Sequence, residues 1–388
     1  MQPVFNNVLI LSASAGAGHV RAAQATLQAF QDLGAAREVT HVDTLEYTNK
    51  LFRNLYSKAY LDMVNRAPDV LGWLYDQWDR PWQNERQRLA FDKLNTGPLI
   101  RLLKRTQAEF VVCTHFLPAE LISWLKAKQR ISYRQAIVVT DYDVHAMWLA
   151  RHHEHYFVAL DETKEHLARL GIPRDNLTVS GIPIDPVFSQ TKDKREMRAR
   201  LGLEADRATI LVSAGGFGVG PIDHMMEALL EMRHAAQVLV MCGRNEKMQE
   251  RIEAVARRAG DSANVRIRAV GYTTAMDEYM AASDIVLGKP GGLTMSEALA
   301  RGLVFVIVNP IPGQEERNAD HLLEDGAAIR CNNLPVLGYK IDVLLDQPAR
   351  MEAMRRSALR IARPNAARTI VERLVQLQRE HIESQVML

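Results

Sequence analysis

The sequence lacks the features of disulfide-stabilised, zinc-binding and membrane-spanning proteins. Its 388 residues include only three cysteines, Cys113, Cys242 and Cys331, which are too few and too far apart for a disulfide framework or a zinc site. No stretch approaches the ~18 apolar residues that a membrane helix needs. The N-terminus has no basic region typical of a signal peptide. These absences predict a protein of the reducing cytosol, either soluble or peripheral on a membrane.

The chain also lacks a strong excess of either charge. Its 48 Lys and Arg and 46 Asp and Glu give a net charge of +2, which argues against a nucleic acid partner. The charge is unevenly distributed, because residues 50–105 contain eleven Lys or Arg and only six Asp or Glu. Apolar residues make up 47% of the chain, an ordinary globular composition, and the length predicts roughly two or three domains.

Short apolar runs alternate with longer helical patterns, which is typical of βαβ units and a parallel sheet. The pattern occurs twice, and each series opens with a strand that runs into a Gly-rich turn. The predicted strands are 8–11, 110–113, 136–140, 156–159 and 177–180, then 209–213, 237–241, 265–270, 284–287 and 304–308. We therefore predict an α/β protein with two Rossmann-like domains facing each other across a cleft, with ligands at the carboxyl ends of the strands.

The domain boundaries follow from the same pattern. Residues 181–186 and the charged run 192–200 are typical of a linker into a new domain. We predict a first domain over residues 1–185 and a second over residues 186–362. Residues 363–388 form a predicted amphipathic helix that packs back on the first domain.

The strongest chemical motif runs from Gly288 to Gly302, between a predicted strand and a predicted helix. Adjacent glycines, Gly291 and Gly292, allow close approach of a ligand to the backbone, and the free N–H groups of a helix start suit a diphosphate. Thr294 adds a hydroxyl donor, and Glu297 can accept hydrogen bonds from a ribose. The alternative is an ordinary Gly-rich turn with a buried capping Glu.

A polar loop follows the next predicted strand. It contains Gln314, Glu315 and Glu316, whose side-chain types bind sugar hydroxyls. Taken alone, such a loop is more often simply solvated. Together with the preceding motif, it predicts a sugar-nucleotide site.

Five segments carry a resemblance to a known family: 181–184, 215–221, 242–245, 289–294 and 310–318. They resemble the monogalactosyldiacylglycerol synthase and processive diacylglycerol glucosyltransferase family, and more distantly the lipid II N-acetylglucosaminyltransferase of peptidoglycan synthesis. The resemblance implies a GT-B fold, a C-terminal UDP-sugar site, an N-terminal acceptor site and inversion at the anomeric carbon. It also implies no obligatory metal and no cofactor, because the UDP-sugar is a substrate.

The resemblance assigns donor contacts to individual residues. Tyr272 and Thr273 are expected to border the uracil, Glu297 to hold the ribose, and residues 314–316 to hold the sugar. The residues expected near the phosphates are Gly216, Phe217, Gly218, Gly291, Gly292 and Thr294. Where family members often carry a basic residue, this chain has Asp185. We therefore expect Arg244 or the helix start to neutralise the diphosphate.

The first Gly-rich turn ends in His19 and resembles the family's turn that ends in His. Attack by a hydroxyl on an anomeric carbon needs a base with a pKa near neutrality, and His is the natural choice. We predict that His19 is this base and that Gly18 lies beside the acceptor. One alternative is a His that only hydrogen-bonds the turn. A dinucleotide fingerprint is disfavoured, because Arg21 occupies the third Gly position.

Asp141 and Asp143 form an Asp-x-Asp pair, which binds a metal in the other large glycosyltransferase fold. Here the diphosphate is already assigned elsewhere, so we predict no metal and expect Asp141 to orient the base or the acceptor. A strand-end Asp that caps a loop is an equal alternative. His152, His153 and His155 fit no helical chelate and predict a solvated loop.

Aromatic and basic residues are interleaved within residues 50–105, which we call the basic region. The candidates for membrane contact are Trp73, Trp78, Arg80, Trp82, Arg86 and Arg88. This composition is typical of a segment at an anionic bilayer surface. The alternative is a helical insertion that packs its aromatics into the core. No nucleic-acid-binding module surrounds the patch.

Together these features predict a cytoplasmic enzyme, peripheral on the inner face of the cell membrane. It is expected to move a hexose from a UDP-sugar to diacylglycerol. Two alternatives stay open: a transferase for another lipid acceptor, such as a polyprenyl-linked one, and a non-catalytic UDP-sugar-binding regulator.

Overall fold

The computed structural model describes residues 3–48, 63, 67–83, 96–106, 108–213, 222–260 and 264–386. The chain divides into two α/β units. The first comprises Met1–Pro186, Pro312–Gln314 and Arg363–Leu388, and the second comprises Val187–Ile311 and Glu315–Ala362. Each unit contains one parallel six-stranded sheet with helices, which confirms the predicted α/β class.

The first unit alternates strands and helices along most of its length. Its strands are β1 (Phe5–Ser12), β2 (Ala36–Asp43), β3 (Phe110–Cys113), β4 (Arg134–Val138), β5 (His155–Val158) and β6 (Leu177–Val179). Its helices are α1 (Ala17–Asp32), α2 (Pro68–Trp78), α3 (Gly97–Arg105), α4 (Phe116–Ala127) and α5 (Asp161–Arg169). Single 3-10 turns lie at Thr44–Tyr47, Ala146–Trp148 and Arg174–Asn176.

The first sheet has the strand order β2-β1-β3-β4-β5-β6, with every pair parallel. The order reverses between β1 and β3, where consecutive connections lead to opposite sides. In open α/β sheets such a switch point leaves a crevice at the carboxyl ends of the strands. β3 is buried along its whole length, as expected of a parallel strand covered on both faces.

The second unit repeats this architecture. Its strands are β7 (Ala208–Ser213), β8 (Ala236–Gly243), β9 (Val265–Gly271), β10 (Ile285–Gly288), β11 (Val304–Val308) and β12 (Ala328–Cys331). Its helices are α6 (Lys194–Arg200), α7 (Ile222–Leu230), α8 (Glu246–Ala259), α9 (Met276–Ala282), α10 (Gly292–Ala300), α11 (Gln314–Glu324), α12 (Leu337–Leu345) and α13 (Pro348–Ile361). Single 3-10 turns lie at Pro186–Ser189 and Leu334–Val336. The strand order β12-β11-β10-β7-β8-β9 places the switch point between β7 and β10.

The composition of the charged run at 192–200 predicted a linker, and this prediction is wrong. It forms α6, which Asp193 caps by accepting the Glu196 N–H at 2.8 Å. The buried guanidinium of Arg198 donates to the Asp284 carboxylate at 2.6 Å and to the Ala282 carbonyl at 2.9 Å. Because these ion pairs and hydrogen bonds fix α6, the charges stabilise the second unit.

The last helix, α14 (Ala366–Val386), belongs to the first unit. Its residues Ile370, Val371 and Leu374 are fully buried in one apolar cluster with Phe5 and Phe30. The spacing of these residues, i, i+1 and i+4, places them on one apolar face of the helix, and this helix packs beside α1.

The predicted strands agree with the structure in the sheet centres and fail at two edges. β3 and β11 have the predicted bounds, whereas β2 and β12 were missed. β2 contains only half-buried and exposed residues, several of them polar or charged, so its sequence gives no apolar run. Across the described part of the chain, no helix has the length and apolar character needed to cross a bilayer. The three cysteines are buried free thiols.

Candidate active site

His19 lies in the first turn of α1, immediately after the carboxyl end of β1. The helix begins at Ala17, and Gly16 before it has extended backbone angles. The Gly-rich turn therefore places Gly18 and His19 at the switch point of the first sheet, and the ring of His19 is half-buried there.

The Nδ1 atom of His19 has two hydrogen-bond partners. It lies 3.1 Å from the Thr114 carbonyl oxygen and 2.8 Å from the Thr140 hydroxyl. A carbonyl oxygen can only accept, so the proton of the neutral ring resides on Nδ1. Nε2 then carries the free lone pair, and no described residue forms a hydrogen bond with it.

These partners come from neighbouring strands. Thr114 follows β3 and Thr140 follows β4, which lie in order beside β1 in the sheet. The Thr114 hydroxyl also donates to the His19 carbonyl at 2.9 Å. Three consecutive strand ends therefore hold one imidazole, and this arrangement depends on the strand order.

Aromatic side chains line one side of this imidazole. The ring of His115 meets that of His19 edge to face, with centroids 4.6 Å apart, and Trp148 lies 6.3 Å away. Nδ1 of His115 accepts the Leu117 N–H at 3.1 Å and caps α4. Burial, together with the nearby His19, holds the pKa of His115 well below its ordinary value, so His115 is neutral.

The pKa of His19 is lowered from its ordinary value, mainly by burial. The Asp141 carboxylate and the hydrogen bond to the Thr114 carbonyl oppose that effect. His19 is therefore unprotonated at neutral pH, the state that a general base needs.

Asp141 acts on His19 through its charge. Its side chain is buried, with 8% exposed, and Oδ1 accepts the Gln314 Nε2–H at 2.5 Å. Gln314, the first residue of α11, belongs to the segment Pro312–Gln314 of the first unit, and the rest of α11 belongs to the second. Asp143 accepts the Val144 N–H at 2.8 Å.

The sequence analysis did not predict Thr114, His115 and Thr140 as site residues, because only the strand order brings them to His19.

The diphosphate motif lies at the switch point of the second sheet. Gly288 ends β10 and pairs with Ser213, which ends β7. A Cβ on Gly288 would approach the Ser213 carbonyl oxygen to 2.7 Å, so only glycine fits. Gly291 precedes α10, and no side chain caps this helix start. Its first-turn N–H groups are the kind that bind anions.

Other predicted donor residues lie on α10 itself. Glu297 is buried, with 1% exposed, and Thr294 is half-buried. The Ser296 hydroxyl donates to the Gly292 carbonyl at 2.9 Å. α10 thus brings a buried carboxylate one turn from its own N-terminus.

Lys289 is a charged residue at this edge that the sequence reasoning left unassigned. Partial burial lowers its pKa, and the Glu315 carboxylate opposes that effect. Glu315 also accepts the Ile311 N–H at 2.7 Å. The signal was available in the sequence, because Lys289 directly precedes the Pro-Gly-Gly turn.

The predicted uracil border is an exposed aromatic platform. The Arg244 guanidinium lies 4.5 Å from the ring centroid of Tyr272, whose side chain is 62% exposed. The Thr273 hydroxyl accepts the Ala275 N–H at 3.0 Å.

Glu316, predicted to contact the donor sugar, accepts a hydrogen bond from Arg330 at 3.1 Å in the second unit. Asp185 is exposed in the first unit.

Several predicted residues lie outside the described part of the chain. They are Gly216, Phe217, Gly218, Arg86 and Arg88.

The three Trp of the basic region differ in their surroundings. Trp73 and Trp78 on α2 are 61% and 51% exposed, and Arg80 beyond the helix is exposed too. Trp82 instead donates its indole N–H to the Leu170 carbonyl at 2.9 Å, and the Arg151 guanidinium lies 4.8 Å from its ring. Trp82 therefore fits the core-packing alternative.

The histidine cluster at 152–155 is not a solvated loop throughout. His152 is exposed, but His153 bonds the Ala150 carbonyl oxygen at 2.7 Å. His155 is fully buried in β5, where Nε2 pairs with the Thr178 hydroxyl at 2.7 Å. The prediction of a solvated loop is wrong for His155, because the strand begins one residue earlier than predicted.

Comparison with known proteins adds independent information. Residues 19–184 match the family model of monogalactosyldiacylglycerol (MGDG) synthase, and residues 193–360 match that of glycosyl transferases group 1. The chain is 30% identical over 321 residues to the processive diacylglycerol beta-glucosyltransferase of Staphylococcus epidermidis, covering 82% of this chain and 79% of the relative.

Two solved structures share the fold. MurG of Acinetobacter baumannii has a TM-score of 0.59 and 17% identity, over 96% of this chain and 99% of that chain. Anabaena HepE in complex with UDP-glucose has a TM-score of 0.55 and 14% identity, over 97% of this chain and 99% of that chain. Both sets of matches agree with the motifs, and the chain belongs to the glycosyltransferase family of the processive diacylglycerol β-glucosyltransferases and monogalactosyldiacylglycerol synthases.

Proposed function

We propose that the protein transfers a hexose from a UDP-sugar to diacylglycerol, with inversion at the anomeric carbon. The names of its relatives supply the acceptor and a β-linked product. Ordinary UDP-hexoses are α-linked, so a β product requires attack from the face opposite UDP. The donor class is supported by the diphosphate motif on α10 and by the UDP-glucose bound to HepE.

The observation that carries the proposal is the state of His19. Its Nδ1–H is held by the Thr114 carbonyl and the Thr140 hydroxyl, and its Nε2 lone pair is available. In the proposed reaction Nε2 takes the proton of the acceptor hydroxyl as that oxygen bonds to the anomeric carbon. The bond from the anomeric carbon to the diphosphate oxygen breaks, and its electron pair leaves with UDP.

The groups proposed to stabilise the departing UDP come from the second unit. The N–H groups at the start of α10 and the ammonium of Lys289 offset the negative charge on the diphosphate. Glu297 accepts hydrogen bonds from the ribose hydroxyls, and Tyr272 borders the uracil. Residues 314–316 bind the sugar hydroxyls. These groups make a metal unnecessary in the proposed mechanism.

The proposed docking surface for the lipid is the exposed part of α2. Trp73 and Trp78 are amphipathic side chains suited to the interface of a bilayer, and Arg80 adds positive charge. We propose that these residues attach the protein to the anionic inner face of the cell membrane, where diacylglycerol is available.

Product analysis tests the proposal directly. The purified protein is incubated with diacylglycerol vesicles and UDP-glucose, UDP-galactose or UDP-glucuronate in turn, in EDTA. We expect one of these donors to yield a β-linked glycosyldiacylglycerol, identified by NMR, and His19→Ala to serve as the inactive control. The same assay is run in parallel with a polyprenyl-linked acceptor, and transfer to that acceptor alone would overturn the proposed acceptor. UDP-sugar binding without any product would overturn the proposed activity.

A further inference from the structure

The imidazole of His19 donates its shorter hydrogen bond to a hydroxyl oxygen. Thr140 Oγ1 lies 2.8 Å from Nδ1 of His19, closer than the Thr114 carbonyl oxygen at 3.1 Å. Asp141, the neighbouring carboxylate, accepts from Gln314. We infer that Thr140 is a positioning residue, which orients His19 and stabilises its protonated form during sugar transfer. This inference rests on the proposed role of His19 as the base.

The direction of the hydrogen bond follows from the partners. Nδ1 of a neutral ring carries either a proton or a lone pair, and the Thr114 carbonyl oxygen is compatible only with a proton. The Thr140 hydroxyl therefore accepts from the same N–H in a three-centre bond. The lone pair is left on Nε2, the atom that must receive the acceptor's proton.

The same bond strengthens as the reaction proceeds. When Nε2 takes a proton, the ring becomes a cation, and hydrogen bonds from a cation are roughly twice as strong as neutral ones. Thr140 and the Thr114 carbonyl therefore stabilise the charged ring more than the neutral one. Of these two groups only the Thr140 oxygen belongs to a side chain, so Thr140 is the one that mutation can remove.

Other titratable groups also act on this ring. The Asp141 carboxylate after β4 favours the protonated form of His19, and the neighbouring His115 at the start of α4, edge to face with the ring, is itself neutral. Both are unchanged when Thr140 is replaced. A change in the pH profile after that replacement therefore reports the hydroxyl itself.

The test compares three variants. Thr140→Val keeps the shape and removes the acceptor, Thr140→Ser keeps a hydroxyl, and Thr178→Val is a matched control. Thr178 forms the same kind of bond, 2.7 Å to His155, within the same sheet but on β6. All three are assayed for kcat and for kcat/KM against pH, alongside thermal melting.

We expect Thr140→Val to lower kcat by about 10- to 100-fold, the effect of losing one hydrogen bond to a charged group. The acid limb of kcat/KM should move to lower pH, because the protonated ring loses a partner. Thr140→Ser should restore most of the turnover, and Thr178→Val should change neither kcat nor the profile. An unchanged kcat and pH profile in Thr140→Val would overturn the inference.

Two further measurements separate the possible failures. If the wild-type protein forms no product, the proposed function itself fails. If His19→Ala keeps its turnover, the role of His19 as the base fails, and the role of Thr140 fails with it. If His19→Ala is inactive while Thr140→Val behaves as wild type, only the role of Thr140 fails. If Thr140→Val does not fold, ¹⁵N NMR of the wild-type histidines tests the inference instead. The signals of His19 are identified by their absence from the spectrum of His19→Gln. In the wild-type protein they must show the proton on Nδ1, and a proton on Nε2 would contradict the inference.

Discussion

In the first unit, the loops after β1, β3 and β4 hold a neutral imidazole between a carbonyl and a hydroxyl oxygen. In the second unit, the turn after β10 presents an uncapped helix start with Lys289 beside it. Both places are switch points of parallel sheets. The strand order thus determines where each site lies, and the residues that follow the strands determine its chemistry.

The two sites also differ in their electrostatic character. Around His19 burial keeps the ring neutral, which suits proton uptake. Around α10 the backbone N–H groups offer partial positive charge, which suits a diphosphate. One architecture therefore supports a base in one unit and an anion site in the other.

The largest expected effect comes from removing the base. His19→Ala should lower turnover by roughly 10²–10⁴-fold, the usual contribution of a general base. UDP affinity, measured by calorimetry, should stay near the wild-type value, because the groups proposed to bind UDP itself lie in the second unit. A folded variant with nearly normal turnover would contradict the assignment, and a parallel loss of UDP affinity would break the contrast between the units.

The reverse pattern is expected at α10. Glu297→Gln keeps the size of the side chain but removes the charge, and should weaken UDP binding by about 10- to 100-fold, because a hydrogen bond to a charged group contributes about 1.5–3 kcal/mol. The matched control is Glu316→Gln, at a carboxylate that pairs with Arg330, and we expect a smaller loss there. Equal UDP affinity in Glu297→Gln and wild type would remove Glu297 from the donor site.

The unfolding free energy should fall at acidic pH because of the buried imidazole of His155 in the first unit. Burial lowers the pKa of His155 to about 3, so the folded protein keeps this ring neutral while the unfolded chain protonates near 6.5. Its stabilising contribution is present above pH 6.5 and declines as the pH falls below it. From pH 7 to 5, wild type should lose about 2 kcal/mol more unfolding free energy than His155→Gln, measured with denaturant. Parallel losses in both proteins would show that His155 does not contribute.

The smallest effect is expected at the surface of α2. Replacing Trp73 and Trp78 with Ala should weaken vesicle binding on the order of ten-fold for each residue, because partial burial of a large apolar side chain contributes about 1–2 kcal/mol. The melting temperature should hold, since both side chains are exposed. Trp82→Ala is the contrasting variant, and it should lower the melting temperature because Trp82 packs in the fold. Flotation with wild-type efficiency in the Trp73 and Trp78 variants would exclude this docking surface.

Sequence patterns could predict the sheets and the neighbourhood of the candidate site, but not its internal geometry. Short continuous apolar runs such as Phe110–Cys113 are typical of buried parallel strands, and β3 was predicted with its observed bounds. The partners of His19 could not be found in this way, because Thr114 and Thr140 are distant in sequence and meet only through the strand order. Composition likewise indicated a basic aromatic region, but it could not distinguish the packed Trp82 from the exposed Trp73.

The packing of α14 into the first unit has a consequence for biosynthesis. Ile370 and Leu374 complete the apolar cluster that contains Phe5 and Phe30, yet the whole second unit is translated before them. At about 5–20 residues per second, the ribosome needs on the order of ten seconds or more to bridge that interval. During that time the nascent first unit has an unfilled apolar face, to which a chaperone could bind. The second unit has all of its own segments by residue 362, so it can finish folding first, although it is made later.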